Sequence, residues 1–457
     1  MPTKLIQLKQ QLLLGVDLII LYASLFFALL LRYQSEFTYE KWQLHFVPFT
    51  IIYIIWIIVF YINGLYDISG AKNTAAFWRT FFESLGINAL LAVAIFYLIP
   101  ALGIAPKTNL FINLGVFALL FFAWRSLYNR FVSSSVLKNR ILIIGKNKEA
   151  EEIIKIIKDK PQLGYKMVGF ISIDKKNGHF SGAVSEYSLA DLDYLLFKKK
   201  IDTIIVPSSL IESKELVQHL YACIAYKIAF IDFVAFYETL TSKIPVSAVT
   251  EHWFLQNLRE GEKKFYDTTM VIFDFTFSAV IGIVMLILLP FVALSIKIDD
   301  NGPVFYRQKR VGKFGKIFEI VKFRTMSIDA EKDGAQFASE DDDRITRLGK
   351  FLRASRIDEL PQIINVLRGE MGFFGPRPEQ PEFVEKLQEK MPFYTLRHLI
   401  KPGLSGWAQI NYPYAGTIEE NLKKLQYDLF YIKNRSALLD AMILLKTINT
   451  LLRQKGI

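Results

Sequence analysis

The chain has 457 residues, room for two to four domains, and a single cysteine, Cys223, which excludes an intrachain disulfide, argues against Cys/His metal clusters and reads as a small buried hydrophobe. A hydrophobic content of 52% and a mean hydropathy of +0.27, with 38 Phe and 21 Tyr, exclude an ordinary soluble protein and point to lipid contact. The net charge of +11 suits anionic lipid or a phosphorylated ligand, and no basic segment resembles a nucleic-acid module, so no nucleic-acid partner is expected.

Four apolar runs open the chain, at about 11–31, 45–66, 80–103 and 108–128. Each approaches the ~20 residues that cross a bilayer as helix. The first follows Lys4 and Lys9, lacks a small-residue cleavage site and reads as a retained span. Trp42, Trp56, Trp78 and Trp124 lie near the ends or flanks of the runs, as interfacial anchors do. Cations gather in the tail, in the second loop (Lys72, Arg79) and after the fourth run (Arg125, Arg130, Lys138, Arg140). The first and third loops hold only Arg32, Lys41 and Lys107, with Glu36 and Glu40 beside the first two. The positive-inside rule therefore puts both ends of this expected four-helix bundle, 1–138, in the cytosol. Asp17, inside the first run, reads as a helix-packing or interfacial residue before a functional one.

Residues 139–250 alternate strand and helix. Ile141–Ile144 runs into Gly145 and a helical pattern; 165–174 and 201–209 read as buried strands, and 216–233 as helix then strand. That alternation implies a parallel sheet in a Rossmann-like α/β domain. The turn Gly145-Lys146-Asn147-Lys148-Glu149-Ala150 has one glycine where a dinucleotide fingerprint needs three, so a regulatory or oligomerisation module is expected, not a cofactor site.

Next come a linker and an apolar stretch, 251–298, interrupted by Pro290. Lys263 and Lys264 precede the apolar part, and Lys297, Arg307, Lys309 and Arg310 follow it. Both flanks prefer the cytosol, so a helix broken near Pro290 that re-enters on the same face is expected; a straight span would put everything after residue 300 outside. Residues 299–457 read as a mixed α/β interfacial domain. The segment 299–326 has the pattern of a hairpin presenting cations, its second strand ending Lys322-Phe323-Arg324. In RIDELPQIINVL (356–367), Pro361 suits the first turn of a helix, and Leu360, Ile363, Ile364 and Leu367 would make its apolar face. Asp358 and Glu359 would sit at its start. Two adjacent carboxylates repel unless a cation lies beside them, and Arg353, Arg356 or Mg²⁺ would supply one. A carboxylate pair among arginines suits metal-assisted phosphoryl transfer; an N-cap with surface ion pairs is the plainer reading.

NGPVFYRQKRVGKFGKIFEIVKFRTM, RIDELPQIINVLRGEMGFFGPRP, KPGLSGWAQIN and YDLFYIKNRSALLDAMILLKTI, in that order over roughly 262–455, resemble the bacterial sugar transferase family, polyprenyl-phosphate sugar-1-phosphate transferases. The N-terminal spans and α/β domain resemble its long form. The resemblance implies that 299–457 is the catalytic domain. It further implies a two-step reaction in which Asp358 attacks the β-phosphorus of a UDP-sugar, expelling UMP, and Glu359 helps to hold Mg²⁺. Undecaprenyl phosphate then takes the sugar phosphate, starting exopolysaccharide, capsule or O-antigen synthesis at the cytosolic face of the bacterial inner membrane. Phosphate or nucleotide positioning falls on Lys322, Arg324, Arg353, Arg356 and Arg377. The sugar stays open, with glucose- or galactose-phosphate the first expectation, and a homodimer through the α/β domain is expected. The other reading is an inactive membrane scaffold or sensor. The family's re-entrant helix usually has Ser-Pro at its break, where this chain has Leu289-Pro290, and Asp274 lies farther from that proline than expected. Trp407, Tyr412, Tyr414, Tyr427, Phe430 and Tyr431 are candidates for headgroup level.

Overall fold

The computed structural model describes residues 2–68, 73–99, 107–132, 138–145, 147–172, 185–207, 214–327, 344–412 and 417–452. Lys72, Lys146 and Tyr414, and the ends of two expected strands at 173–174 and 208–209, lie outside the described residues. The chain is a membrane protein, mostly helical with a parallel sheet: five helical segments are long and apolar enough to cross a bilayer. It divides into two compact units, Met1–Leu240 and Thr241–Ile457.

The first unit opens with α1 (Pro2–Tyr33), α2 (Tyr39–Ile62), α3 (Ala75–Leu98) and α4 (Lys107–Val132). Thr38 and Thr74 start α2 and α3 by accepting the N–H of Lys41 and Phe77 at 3.4 and 3.2 Å. Helix α1 packs on α2 and α4, and α3 packs on α2 and α4. Many Leu, Ile and Phe point outward, while polar side chains meet inside. Asn113 Nδ2 donates to Ser24 Oγ and Tyr53 Oη, each at 2.9 Å. Asp17 and Arg125, both fully buried, pair at 2.7 Å between α1 and α4, which gives Asp17 the helix-packing role expected of it. Trp56 corrects the sequence reading. It is not an interfacial anchor but fully buried, because its indole N–H reaches the Asn88 carbonyl at 3.1 Å in the neighbouring α3.

The remainder of this unit alternates β1 (Asn139–Ile144), α5 (Lys148–Asp159), β2 (Tyr165–Ile171), β3 (Glu186–Tyr187), α6 (Leu192–Lys199), β4 (Thr203–Val206), α7 (Lys214–Ala222) and β5 (Ala229–Asp232). All strand pairs are parallel, in the order β3-β2-β1-β4-β5. Strands covered on both faces carry continuous apolar runs, as Ile141–Ile144 and the wholly buried β4 do. The two-residue β3 is too short to leave a periodic signal. Asn147 caps α5 through the Ala150 N–H at 2.7 Å, and Cys223 is buried in the sheet's apolar cluster. Helix α8 (Phe233–Thr241) ends the unit.

In the second unit α9 (Glu251–Asn257) leads to α10 (Lys264–Asp300). Then come the antiparallel strands β6 (Phe305–Val311) and β7 (Ile317–Phe323), helices α11 (Arg347–Ala354) and α12 (Ile363–Leu367), and strand β8 (Gly372–Phe374). They are followed by α13 (Pro381–Lys390), β9 (Gly403–Ser405), which pairs parallel with β8, α14 (Trp407–Asn411), α15 (Ile418–Asn434) and α16 (Ala437–Leu452). Pro290 does not interrupt α10: one helix of 37 residues contains it. A proline removes one helical hydrogen bond, and packing on both sides of it holds this helix together. Phe273, Phe277 and Ile281 pack with Ile363, Val366 and Phe373, while Leu288, Leu289, Val292 and Ile296 pack with Phe323 and Leu352. The opposite face of α10, including Ile272, Phe275, Ile283, Leu286 and Phe291, is exposed. Two expected headgroup aromatics are interior instead. Trp407 stacks on Phe430 and donates to the Ser242 carbonyl at 3.1 Å, and Tyr431 donates to Asp440 at 2.8 Å.

Removing one member of the buried Asp17–Arg125 pair leaves an uncompensated charge, so Arg125→Met alone is expected to destabilise the helices by about 3–5 kcal/mol. Asp17→Leu with Arg125→Met should recover most of that in thermal unfolding in detergent; a double variant no more stable than the single one would contradict the pairing.

Candidate active site

The site is built on β7. Phe318 and Ile320 alternate inward on this strand and pack with Ile363, Val366, Met371 and Phe373. The same alternation brings Lys322 to the inner face. The edge of β7 away from β6 is tied down by Asn365, which is fully buried. Its Oδ1 accepts the Val321 N–H at 3.1 Å, and its Nδ2 donates to the Glu319 carbonyl and Glu370 Oε2, each at 2.7 Å. Asn365 therefore sets the position of Lys322. The hairpin was expected; its anchor was not, because a lone Asn among Ile363, Ile364 and Val366 leaves only a weak signal.

Asp358 and Glu359 lie in a 3₁₀ turn, Ile357–Gln362, that precedes α12. Arg356 begins the turn in the left-handed region, φ 58°, which few non-glycine residues adopt. Pro361 thus lies inside the 3₁₀ turn and not in the first turn of an α-helix. The expected apolar face also shifts: Leu367 is exposed, and Asn365 and Val366 are buried. A 3₁₀ turn advances three residues per turn, so an α-helical phase read from Leu360 does not carry into α12.

The two carboxylates have different surroundings. Glu359 Oε1 accepts from Lys322 Nζ at 2.9 Å and from Arg377 Nη2 at 3.1 Å; Arg356 Nη1 is 3.9 Å from Oε2. Burial alone would raise its pKa, but Lys322, Arg377 and Arg356 outweigh burial and hold it far below the usual carboxylate range. Asp358 is buried, and among the described residues its Oδ1 has no hydrogen-bond partner. Burial, then the Glu359 charge, raises its pKa, against the pull of Lys322, Arg356 and Arg353. Arg353 Nε donates to Thr325 Oγ1 at 2.9 Å, and Arg324 Nε donates to the Met326 carbonyl at 3.0 Å. The structure brings Lys322, Arg356 and Arg377 onto Glu359, leaves Arg353 as a more distant charge for Asp358, and turns Arg324 Nε to its own loop.

Arg377 is held from behind. Arg397 Nη2 donates to the Arg377 carbonyl at 3.1 Å and to Asp428 Oδ2 at 2.9 Å. Glu379 pairs with Lys424 at 2.6 Å and lies 3.7 Å from Arg310. Burial would raise Glu379, but Lys424, Arg397 and Arg310 lower it to about 2. The turn carrying Arg377 passes so close to the 401–406 segment that a Cβ on Gly403 would lie 2.1 Å from Gly375 N, and one on Gly406 2.2 Å from Gly375 O. Only glycines permit that approach.

Among the described residues no cluster of three or more His, Cys, Asp or Glu side chains forms a metal cage. Mg²⁺ needs less: one or two carboxylates, with substrate phosphates and water completing its shell. Two adjacent hard-oxygen donors, one with an oxygen that lacks a hydrogen-bond partner among the described residues, fit that demand.

A model of the family described as bacterial sugar transferase matches residues 265–454. Over 164 residues the chain is 49% identical to a UDP-N-acetylgalactosamine-undecaprenyl-phosphate N-acetylgalactosaminephosphotransferase of Aeromonas hydrophila, covering 36% of this chain and 39% of that protein. Over 341 residues it is 31% identical to an undecaprenyl-phosphate glucose phosphotransferase of Komagataeibacter xylinus, covering 68% of this chain and 59% of that protein. It is also 39% identical over 199 residues to the uncharacterized sugar transferase EpsL of Bacillus subtilis, covering 43% of this chain and 89% of that protein. The chain belongs to the bacterial sugar transferase family. Against the first two relatives it spans about two fifths and three fifths of their length. The residues of this family member that form the carboxylate and cation cluster, Lys322, Arg356, Asp358, Glu359 and Arg377, all fall inside the matched region.

A carboxylate whose folded pKa is raised stabilises the fold fully only below its unfolded pKa, and that contribution is lost as pH rises through the folded value. Asp358 is such a group. Asp358→Asn is therefore expected to raise the Tm at neutral pH, by a margin that narrows as pH falls towards the ordinary Asp value of about 3.9. A lower Tm for the variant at neutral pH would contradict this account of the site.

Proposed function

We propose that this protein transfers a sugar-1-phosphate from a UDP-sugar to undecaprenyl phosphate through a covalent intermediate on Asp358. The supporting observation is the buried Asp358 Oδ1, without a hydrogen-bond partner among the described residues, beside a Glu359 that takes the direct ion pairs of Lys322 and Arg377. The cations stay at the site, and none of them is hydrogen-bonded to the nucleophilic oxygen. In the first displacement Asp358 Oδ1 forms a bond to the β-phosphorus, and the bond from that phosphorus to the bridging oxygen of UMP breaks. UMP leaves with the electron pair. In the second, a phosphate oxygen of the lipid attacks the same phosphorus, and the Asp358 carboxylate leaves. The products are UMP and a lipid diphosphate-sugar, and no proton need be abstracted from either nucleophile.

Lys322, Arg356 and Arg377, already gathered on Glu359, offset the charge of the incoming phosphates, with Arg353 as a more distant cation. Glu359 would hold Mg²⁺, which supplies charge neutralisation at the phosphate oxygens when bound. Arg397 and Asn365 act as positioning residues for Arg377 and Lys322. The donor sugar is glucose, galactose or N-acetylgalactosamine; the first and last appear in the names of the relatives.

Helix α10 supports a membrane placement with the site on the cytosolic face, where UDP-sugars are. At 1.5 Å per residue a 37-residue helix is about 55 Å long, well beyond the ~30 Å hydrocarbon core. Both halves of it pack on the same unit, and both ends carry lysine. We therefore take α10 to bend at Pro290 and re-enter the same leaflet. We likewise take α1–α4 as a four-helix membrane bundle, the five-stranded sheet as a Rossmann-like domain and the chain as a homodimer.

UMP release with a panel of UDP-sugars, Mg²⁺ and undecaprenyl phosphate tests the reaction. Asp358→Asn is expected to lose about 10³-fold or more, and Arg377→Ala about 10²-fold. Ionisation of a raised Asp358 should also place the acid limb of the rate profile above the ordinary Asp range. Equal UMP release by wild type and Asp358→Asn would remove Asp358 as the nucleophile.

A further inference from the structure

A cavity of about 130 Å³ lies in the second unit, apart from the carboxylate pair. This is several times the ~10–15 Å³ that one water needs by the same measure. Lys313, in the β6–β7 turn, and Lys401, before β9, reach it from two loops, and Met270 and Val271 of α10 form an apolar wall with Phe374. The cavity adjoins the catalytic cluster. Ile400 lines it and also lines the narrow cleft that contains Arg377, the cation held by Glu359. Gly312 and Pro402 face that cleft while their chain neighbours Lys313 and Lys401 face the cavity.

The charges in the cavity are unequally committed. Arg435 is paired with Asp267 and Glu260. The Tyr266 and Tyr431 hydroxyls both donate to Asp440, at 2.5 and 2.8 Å. Asp274 accepts the Phe373 N–H at 3.1 Å and has Lys401 as its facing cation. Lys313 lies over the Phe314 ring at 4.9 Å and, among the described residues, has no carboxylate partner. Of the charged side chains that line the cavity, Lys313, Lys401 and Arg435 are cations and Asp267 and Asp274 are carboxylates, and the two lysines are the cations not taken up by the Asp267–Glu260 pair. On the other side Val271 is exposed and continuous with the apolar outer face of α10. Two lysines at a cavity that opens onto the exposed apolar face of α10 suit a phosphate ester with an apolar chain.

We propose that this cavity seats the phosphate of the lipid acceptor, with Lys401 and Lys313 as its cationic partners and the isoprenoid chain leaving along the Val271 face. The assignment rests on the proposed function. It puts the acceptor phosphate in a cavity that shares Ile400 with the cleft containing Arg377.

The test is steady-state kinetics of the full chain with UDP-sugar and undecaprenyl phosphate varied separately, for wild type, Lys401→Ala, Lys401→Arg and Lys313→Ala. Losing one charge-assisted contact is expected to raise the acceptor KM roughly tenfold and to leave the donor KM within about twofold. Lys401→Arg should recover most of the loss. If Lys401→Ala fails to fold, Lys313→Ala, on a surface turn, carries the same comparison. An unchanged acceptor KM, or an equal rise in both KM values, would overturn the proposal. Inorganic phosphate serves as a competitor: inhibition as tight as the lipid's own KM would assign the cavity to free phosphate and overturn the lipid reading. If wild type transfers no sugar phosphate from any donor, the proposed function fails and the cavity is tested by itself. In that case undecaprenyl phosphate should bind wild type more tightly than undecaprenol does, and Lys401→Ala should abolish the difference; equal binding of the two lipids would overturn the site.

Discussion

Two carboxylates in consecutive positions of a buried turn would repel, and one would take up a proton, unless positive charge were brought to them. Here Lys322, Arg377 and Arg356 converge on Glu359 from a strand, a glycine-proline turn and the residue that starts the 3₁₀ turn. That convergence makes the charged state of Glu359 stable. It also separates the surroundings of the neighbours: Glu359 is anchored, and Asp358 keeps an oxygen without a hydrogen-bond partner among the described residues. Much of the second unit is arranged to hold these three cations in place.

Each cation has its own support. Lys322 depends on Asn365, which pairs the open edge of β7 where another strand would otherwise lie. Arg377 depends on Arg397, whose buried contact with Asp428 fixes the guanidinium under the Arg377 carbonyl. Arg356 depends on the left-handed start of the turn. Helix α10 packs against this assembly along both halves while its other face stays apolar and exposed. The helix with the exposed apolar face thus also forms one wall of the core behind the site.

The residues of the candidate site were legible because each carries charge within a compact segment: Asp358 and Glu359 are adjacent, and Lys322 and Arg377 sit in short motifs. The apolar runs likewise announced the membrane helices and the buried strands. Residues whose meaning lies in a distant partner were not legible. Asn365 binds 44 and 46 residues away, and Arg397 binds Asp428 31 residues away. Trp56 looked interfacial because hydropathy locates the ends of a run but not the Asn88 carbonyl that draws the indole inside. The position of Pro361 was misread for a local reason: a left-handed Arg356 begins a 3₁₀ turn, and side-chain periodicity does not distinguish that from the first turn of an α-helix. Trp407 and Tyr431 looked amphipathic, but their polar atoms find Ser242 and Asp440 within the protein.

The most direct measurement is intact-protein and peptide mass spectrometry after incubation with a UDP-sugar and Mg²⁺ and no lipid acceptor. The account requires a mass increase of one sugar phosphate, confined to the peptide that contains Asp358, absent from Asp358→Asn and discharged by adding undecaprenyl phosphate. An adduct on another residue, or UMP release during turnover with no adduct on wild type under acid quench, would contradict it.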